Sequence, residues 1–331
     1  MRALTIASYG DALTESEVDE PTMGDHDVLV RIEAASLNVL DEKIRVGEFK
    51  QLLPYRMPLI LGNDLAGTVL AVGSAVTSFA PGDEVYARPS ADRIGTFAER
   101  IAVREIDLAL KPTSISMAEA ASLPLVALTA WQALVERGNL QAGQKVLIHG
   151  GAGGVGSIAI QLAKHLGATV ATTARTADHE FVRDLGADVA IDYRTEDVEQ
   201  LLSGYDLVLD SVGGETLSKS LRILAPGAKV IGIAGPPDPG FAREIGLNPV
   251  LRLALAGLSA GIRREARRLG VSYEFLFMRA SGDQLREITR LVDGGVIRPN
   301  VGRTVAFDQA PDALARLHDR GFRGKAVVTN F

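Results

Sequence analysis

A glycine-rich loop lies between a strand pattern and a helix pattern near the middle of the chain. Its glycines, Gly151, Gly153 and Gly156, have the spacing G-x-G-x-x-G. An apolar run at 145–149 enters the loop, and an apolar stripe of helical period leaves it. In this context the loop is typical of a dinucleotide site, because glycine lets backbone N–H groups approach a pyrophosphate at a helix N-terminus. The cofactor contacts predicted in this loop are Gly151, Gly153, Gly154, Val155 and Gly156.

The composition excludes several classes of protein. The chain has 331 residues, too many for one ordinary domain, and its 47 % hydrophobic and 23 % charged residues are typical of a globular protein. A net charge of −6 disfavours a nucleic-acid partner. There is no cysteine, which excludes disulfides, and the N-terminus lacks the apolar region of a signal peptide. We therefore expect a cytoplasmic protein that binds no nucleic acid.

One apolar stretch, at 251–262, raises the question of a membrane. It is shorter than the roughly 18–20 residues that a spanning helix needs. Arg263, Arg264, Arg267 and Arg268 follow it, so one interpretation is a basic amphipathic helix lying on a membrane. The other interpretation, a solvated helix over a cofactor or subunit surface, is favoured, and we expect no membrane partner.

The pattern of the chain changes near residue 143. Residues 1 to about 112 carry short strand patterns with turn signals between them, and a largely helical stretch follows at 117–137. From 143 onward strands and helices alternate, which indicates a parallel sheet with helices on both faces. The predicted strands are 145–149, 169–174, 188–192, 207–210, 229–233 and 273–278. The predicted helices are 156–166, 177–185, 198–202 and 216–224.

The end of the chain returns to another pattern, with a helix at 282–293, a strand at 301–307, a helix at 311–320 and a strand at 325–329. We therefore predict an α/β fold of two domains. A β-rich catalytic domain takes residues 1–124 and 280–331. A Rossmann domain with a doubly wound parallel sheet takes residues 125–279 and is inserted between those two parts.

The end of the second Rossmann strand predicts which dinucleotide is bound. An NAD site usually has an acid there, which binds the ribose 2′-OH. Here the strand ends at Ala174 and Arg175, and there is no acid. Because a guanidinium can bind a phosphate through two hydrogen bonds, Arg175 favours NADPH. The alternative is that Arg175 is an ordinary surface charge.

Several further stretches carry a resemblance to a known family. The chain resembles zinc-independent medium-chain dehydrogenases/reductases of the quinone oxidoreductase kind, and in particular the alkenal/one oxidoreductases. The resemblance implies a GroES-like catalytic domain beside the Rossmann domain. It also implies reduction of α,β-unsaturated carbonyl compounds or quinones. The matching stretches are 36–45, 61–69, 95–99, 120–125, 191–193, 210–214 and 275–278.

The chain departs from the zinc enzymes of that superfamily at two places. Where they have Gly-His-Glu, this chain has Gly62, Asn63 and Asp64, and no cysteine stands near Asn38. A catalytic zinc site needs three protein ligands, commonly Cys or His. The histidines, which show no metal-ligand spacing, are His26, His149, His165, His179 and His318. We therefore expect no metal.

Two residues of the 36–45 stretch are the catalytic candidates that the resemblance implies. Hydride transfer to an enone builds negative charge on the carbonyl oxygen, which needs a donor or a cation. Lys43 would supply the cation, although a solvated lysine is the plainer interpretation. Asn38 would donate its amide to the same oxygen or hold the nicotinamide, or else it caps the next helix. Asp41 is interpreted as a structural pair or cap, and Tyr55 and Tyr86 are weak candidates for the proton donor.

The resemblance also implies further cofactor contacts, each with packing as its alternative. Thr129 would lie under the nicotinamide, and Tyr193 near the adenosine phosphate. The remaining contacts expected at strand ends or near the chain's end are Ser211, Val212, Ile233, Ala234, Phe277, Met278 and Lys325.

Three functions remain open from the sequence. The first is an NADPH-dependent enone or quinone reductase. The second is a nucleotide-binding regulatory protein with little turnover, because a fold does not fix an activity. The third is an alcohol dehydrogenase that uses no metal. We also expect a homodimer, in which an exposed apolar strand at 273–278 pairs with its copy.

Overall fold

The computed structural model describes residues 1–317 and 323–331. The chain forms two compact units. The first unit comprises Met1–Leu128 and Arg279–Phe331, and the second is the continuous stretch Thr129–Met278.

Strands and helices are numbered in chain order. The strands are β1 (Arg2–Ile6), β2 (Thr14–Glu17), β3 (Asp27–Leu37), β4 (Leu59–Ile60), β5 (Leu65–Val72), β6 (Glu84–Ala87), β7 (Arg100–Arg104), β8 (Leu108–Leu110), β9 (Lys145–Ile148), β10 (Thr169–Ala174), β11 (Val189–Asp192), β12 (Tyr205–Asp210), β13 (Leu224–Gly232), β14 (Ser272–Phe275), β15 (Val301–Ala306) and β16 (Lys325–Thr329). The helices are α1 (Val39–Arg45), α2 (Met117–Ala121), α3 (Pro124–Trp131), α4 (Gly154–His165), α5 (His179–Asp184), α6 (Val198–Leu201), α7 (Gly214–Arg222), α8 (Pro239–Glu244), α9 (Pro249–Leu258), α10 (Ala260–Arg268), α11 (Gly282–Asp293) and α12 (Ala310–Ala315).

The first unit is built around a sheet with strand order β15-β16-β3-β5-β6-β8, and β7 also pairs with β3. Strand β3 is central because alternate residues such as Val28, Val30 and Ile32 are apolar and buried. It pairs antiparallel with β16, so the last strand of the chain lies beside one of the first. A smaller sheet has the order β2-β1-β4. The core of this unit therefore draws on both ends of the chain.

The second unit contains a six-stranded sheet with the order β11-β10-β9-β12-β13-β14. All neighbouring strands in it are parallel. This is the doubly wound order 3-2-1-4-5-6. The middle of each central strand is apolar and buried, at 146–148 in β9 and 207–209 in β12, as expected for strands that are covered on both faces. The predictions of an α/β fold and of a parallel sheet after residue 143 are confirmed.

The structure differs from the sequence interpretation at three places. The apolar stretch at 251–262 is two helices, α9 and α10, because the chain turns at the buried Ser259. The last strand of the parallel sheet is shorter than 273–278, since β14 ends at Phe275. That strand lies at the edge of the sheet, but its apolar side chains are buried, which corrects the prediction of an exposed apolar strand.

Two sequence interpretations fall on undescribed residues. The predicted helix at 311–320 is confirmed as α12 as far as Ala315, and its residues 318–320 lie outside the described part of the chain. His318 lies outside it too. Over the described ranges, none of the helices has both the length and the apolar character to cross a membrane.

Candidate active site

The predicted cofactor contacts gather at one edge of the parallel sheet. Because its strands all run in one direction, their carboxyl ends lie together there. The strand order reverses between β9 and β12, and open α/β sheets bind dinucleotides at such a point. The predicted contacts that end or follow these strands are Gly151, Gly153, Gly154, Val155, Gly156, Ala174, Arg175, Tyr193, Ser211, Val212, Ile233 and Ala234.

The three glycines of the loop have different local surroundings. A Cβ at Gly151 would lie 2.2 Å from Oγ1 of Thr172, and a Cβ at Gly156 would lie 2.2 Å from the carbonyl oxygen of Gly150. Neither position has room for a side chain. A Cβ at Gly153 would meet only the Gly150 oxygen, at 3.2 Å. The chain therefore leaves the space over Gly153 open, as the close approach of a pyrophosphate requires.

Helix α4 begins directly after that open space, with Gly153 as its N-cap. The N–H groups of Gly154, Val155 and Gly156 are the first of the helix and have no acceptor within it. The helix dipole adds a partial positive charge at the same end. The loop therefore fits an anionic group such as the pyrophosphate of a dinucleotide.

Arg175 follows β10 and is held by a neighbouring carboxylate. Its Nε donates to Oδ2 of Asp178 at 2.6 Å, and Asp178 is buried. Asp178 thus fixes the direction of the Arg175 guanidinium and offsets part of its charge.

Asp192 ends β11 and accepts the N–H and hydroxyl of Thr176. These hydrogen bonds, of which the one from the hydroxyl has the largest effect, lower the pKa of Asp192 to about 2.

Sequence reasoning missed a second arginine near that position. Tyr193 follows β11 and is 56 % exposed, and the guanidinium of the exposed Arg194 lies 5.8 Å from its ring centroid. The sequence does show a basic residue directly after Tyr193, the predicted adenosine contact, and this was the signal that could have indicated Arg194.

His149 directly follows β9, and its side chain is buried. Its Nδ1 lies 3.1 Å from the hydroxyl of Thr173, and its Nε2 lies 2.9 Å from the hydroxyl of Ser220. Burial lowers the pKa of His149. The hydroxyl of Ser211 donates to the His149 carbonyl at 3.0 Å. These contacts support the interpretation of His149 as structural.

The turn after β12 is shaped by Asp210. Its Oδ1 accepts the N–H of Val212 at 2.8 Å and of Gly213 at 2.6 Å. Gly213 has a φ of 77°, and a Cβ there would lie 2.8 Å from the carbonyl oxygen of Ala234. The segments after β12 and β13 are therefore in direct contact, and Val212 is left exposed.

The last two predicted contacts of this unit follow β14. Met278 is buried, and the ring of Phe277 lies 5.9 Å from that of Phe241 in α8. Thr129 is buried in α3. Burial or packing, which was the alternative to cofactor contact, is thus observed for Thr129, Phe277 and Met278, and their cofactor roles stay predictions.

The first unit contains a buried polar network, defined here as Ser36, Asn38, Asp41, Asn63, Asp64 and Lys325. Its centre is Asp64. Oδ2 of Asp64 accepts the hydroxyl of Ser36 at 2.6 Å and the amide Nδ2 of Asn38 at 2.9 Å. Oδ1 accepts the N–H of Leu125, in the first turn of α3, at 2.7 Å. The carboxylate therefore joins β3, the start of α1 and the start of α3.

Lys325 opens β16 and is buried in the same network. Its Nζ donates to the carbonyl of Leu37 at 3.0 Å and to Oδ1 of Asn38, and it lies 3.5 Å from Oδ2 of Asp64. Burial lowers the pKa of Lys325, although the neighbouring carboxylates oppose the shift. Its donors are directed at the network, and a cofactor contact for Lys325 stays a prediction.

Asn38 is the N-cap residue of α1, one of the roles that the sequence left open, and its side chain is held inside the buried polar network. Its Nδ2 donates to the Ser36 carbonyl at 3.2 Å and to Asp64, and its Oδ1 accepts from Lys325. Both amide hydrogens are therefore used inside the chain. The side chain makes no cap hydrogen bond to α1. It cannot donate to a substrate oxygen without giving up a buried partner.

Asp41 is the third residue of α1, and its carboxylate caps the helix start by binding the backbone of the N-cap residue, Asn38. Its Oδ2 accepts the N–H of Asn38 at 2.7 Å, and its Oδ1 accepts Nδ2 of Asn63 at 2.7 Å. Burial raises the pKa of Asp41 to about 7, against the lowering effect of these hydrogen bonds. Its interpretation as a cap is confirmed.

A fully buried arginine, Arg88, lies next to the network and was missed by sequence reasoning. Leu65 pairs with Ala87, so Arg88 follows β6 beside the residue that precedes β5, Asp64. Within the described part of the chain its Nε has no hydrogen-bond partner, and neither do Oδ1 of Asn63 and Oγ1 of Thr96. The pairing of β5 with β6 is what places Arg88 beside Asp64, and a sequence does not give the register of that pairing.

Lys43 lies on α1 outside the network. Its Nζ is 3.3 Å from Oε2 of Glu48, and its side chain is partly exposed. The cation is therefore accessible to a ligand but already has a carboxylate beside it. The hydroxyl of Tyr55 donates to the carbonyl of Ala91, and burial raises the pKa of Tyr55 to about 12. Tyr55 is therefore a poor proton donor at neutral pH.

The residues at the positions where the zinc enzymes have their ligands do not fit a zinc ion. Asn38, Asn63 and Asp64 are buried, but they offer only amides and a carboxylate. Asp64 accepts from Ser36 and Asn38, Asn38 accepts from Lys325, and Asn63 donates to Asp41. Zinc in proteins takes mainly thiolate and imidazole ligands. Across residues 1–317 and 323–331 no group of three or more ligating side chains is placed to hold a metal.

Two family models match the chain. Residues 24–113 match the alcohol dehydrogenase GroES-like domain. Residues 185–328 match a family described as zinc-binding dehydrogenase.

Curated relatives match nearly the whole chain. It is 37 % identical to the NADPH-dependent alkenal/one oxidoreductase, chloroplastic, of Arabidopsis thaliana, over 99 % of this chain and 79 % of the relative. It is 36 % identical to the NAD(P)H oxidoreductase RTN4IP1, mitochondrial, of Danio rerio, over 92 % of this chain and 84 % of the relative.

A solved structure has the same fold throughout. The quinone oxidoreductase from Coxiella burnetii superposes with a TM-score of 0.85 at 29 % identity, covering 100 % of this chain and 99 % of that one.

Proposed function

The chain belongs to the medium-chain dehydrogenase/reductase superfamily, among the quinone and alkenal/one oxidoreductases, and we propose that it uses NADPH to reduce an enone or a quinone. It is an NAD(P)H-dependent oxidoreductase. The preference for NADPH, the residue roles, the lack of a zinc requirement and the dimer belong to the proposal.

The observation that carries the cofactor assignment is the glycine loop at the reversal of strand order. The open space over Gly153 and the unpaired amides of Gly154, Val155 and Gly156 would hold the pyrophosphate. The strand-end segments at Ser211, Val212, Ile233 and Ala234 would line the remaining length of the cofactor.

Arg175 supports the choice of NADPH. Asp178 holds its guanidinium in place, so little conformational entropy is lost when a phosphate binds. Arg194 adds a second cation beside Tyr193. We assign both arginines to the 2′-phosphate.

The nicotinamide, when bound, supplies the hydride. Lys43 supplies a positive charge for the oxygen that becomes anionic as the acceptor is reduced. Asn38 is assigned a positioning role, because its amide hydrogens and oxygen hold the start of α1, which carries Lys43, against Asp64 and Lys325. No zinc takes part, since the buried polar network contains neither a thiolate nor an imidazole.

The dimer is proposed from the edge of the parallel sheet. Strand β14 pairs only with β13 in the described sheet, so one side of its backbone is available to a second copy. Light scattering should give twice the mass of one chain, and the mass of a single chain would refute the dimer.

The experiment that tests the function is NADPH oxidation with a panel of acceptors. The metal-free protein is mixed with NADPH and with short enals, vinyl ketones, quinones or, in the reverse direction, secondary alcohols and NADP. Turnover with enals or quinones supports the proposal. Tight NADPH binding without turnover would identify a regulatory protein instead, and oxidation of alcohols alone would identify a dehydrogenase.

A further inference from the structure

Helix α9 presents an apolar stripe to the surroundings. Val250 is 77 % exposed, Leu253 76 % and Leu258 66 %, and Leu255 is the one buried residue of the helix. The stripe follows the helical spacing of one face. A cluster of large apolar side chains that are this exposed indicates a surface that binds a partner.

Helix α10 follows immediately and presents arginines. Arg264, Arg267 and Arg268 are exposed and share one face, while Ala266 packs inward. Arg263 is half-buried. Within the described residues, none of these arginines forms an ion pair. Glu265, the acid of the helix, accepts the hydroxyl of Ser218 and lies 3.9 Å from Arg222.

The charge of this segment is opposite to that of the chain. Residues 249–268 contain five arginines and one glutamate, a net charge of +4, whereas the whole chain carries −6. An exposed apolar stripe followed by unpaired arginines is the pattern of a helix pair that lies on an anionic bilayer. A second copy of the chain fits less well, because a two-fold interface would bring the same positive patch from each partner together.

We propose that α9 and α10 form a docking surface for a membrane that contains anionic lipids. Leu253 and Leu258 enter the region between headgroups and acyl chains, and Arg264, Arg267 and Arg268 bind lipid phosphates. The exposure of the stripe thus reverses the preference that the sequence gave to a solvated helix. The proposed docking is to the face of the membrane, since none of the described helices is able to span a bilayer.

The test is flotation of the full-length protein with vesicles. Vesicles of phosphatidylcholine mixed with phosphatidylserine are compared with vesicles of phosphatidylcholine alone. Binding to the anionic vesicles is expected to weaken as salt is raised. The triple variant R264Q/R267Q/R268Q should lower the partition coefficient by more than about tenfold, because each surface arginine contributes roughly fivefold. The double variant L253S/L258S should lower it to a similar degree.

The matched control is Ile106→Ser, which removes an equally exposed apolar side chain, at 73 %, from the first unit. It should bind vesicles as the parent does. NADPH oxidation with a water-soluble acceptor is measured for all variants without vesicles, so failure of docking and failure of the proposed reaction are separate results. Equal binding to both kinds of vesicle, no binding to either, or a dimer that dissociates in L253S/L258S without vesicle binding would each overturn the proposal.

Discussion

The ammonium nitrogen of Lys325 lies 3.5 Å from Oδ2 of Asp64, and both side chains are buried in the first unit. The pair joins the last strand of the chain to the segment before β5. The charges are compensated by each other and by hydrogen bonds to Ser36, Asn38 and Leu37. Burial of two charges is tolerated only when both are compensated in this way.

Removal of the lysine charge should be strongly destabilising. Lys325→Met leaves Asp64 without its cation, and the Leu37 carbonyl without that donor, so the free energy of unfolding should fall by about 3–5 kcal/mol. Urea unfolding followed by circular dichroism measures it. Lys50→Met, at an exposed lysine, is the control. A loss below about 1 kcal/mol would show that the pair contributes little.

Asp41 should make stability depend on pH in an unusual direction. Its pKa is about 7 in the folded chain, above its ordinary value of 3.8. Between these values the unfolded chain is ionised at this residue and the folded chain is protonated, so the stability contributed by Asp41 falls as pH rises from about 4 to about 7. Asp41→Asn removes this dependence, so the difference in unfolding free energy between variant and parent should shift in favour of the variant across that range. Asp19→Asn, at an exposed carboxylate, should show no such trend.

Two glycines of the loop should separate folding from cofactor binding. Gly153→Ala meets only the Gly150 oxygen, at 3.2 Å, and should fold with a nearly unchanged Tm, yet bind NADPH at least about tenfold more weakly. Gly156→Ala meets backbone atoms at 2.2 and 2.7 Å and should lower the Tm itself. Calorimetry of binding and thermal unfolding of both variants decide this. Wild-type NADPH affinity in G153A would argue against the loop as the pyrophosphate site.

Arg175 should distinguish the two nicotinamide cofactors. Arg175→Gln removes a charge-assisted contact to the 2′-phosphate, so the KM for NADPH should rise by about tenfold or more, while the KM for NADH changes little. Arg194→Gln should have a smaller effect of the same kind. Arg303→Gln, at an exposed arginine of the first unit, is the control. Equal effects on both cofactors would remove Arg175 from the phosphate site.

Lys43 should affect catalysis more than cofactor binding. Lys43→Met should lower kcat by about 100-fold, the effect of losing one stabiliser of a developing oxyanion, with an unchanged Kd for NADPH. Glu48→Gln removes the carboxylate that lies 3.3 Å from the Lys43 ammonium and should leave kcat unchanged or raised. An unchanged kcat in K43M would identify Lys43 as an ordinary surface lysine.

The parallel sheet was predictable from sequence because its signals are local. Each strand is an apolar run that precedes a helix pattern, and the predicted bounds 145–149 and 169–174 agree with β9 and β10 to within one residue. The glycine loop was likewise recognisable, since its spacing and flanking elements lie within about twenty residues. The stretch at 251–262 reads as one helix but forms α9 and α10, because the chain turns at the buried Ser259 and a sequence does not show burial. Helix α8 has no counterpart in the sequence interpretation.

The buried polar network was not predictable in the same way. It joins Asn38, Asp64 and Lys325, which lie far apart in the sequence and meet through the pairing of β3 with both β16 and β5. A lysine near the end of a chain and an asparagine before a helix each have many possible partners. Nothing in the sequence indicates that these two contact each other.

The position of β16 beside β3 has a consequence for the order in which the protein is made. Translation completes the second unit, Thr129–Met278, before the ribosome has read the codons for β15 and β16. The first unit, in contrast, must wait with its central strand unpaired on one side until those codons are decoded. A nascent chain that stalls before Lys325 therefore has an intact nucleotide fold and an exposed sheet edge, and that edge is what a chaperone would have to shield.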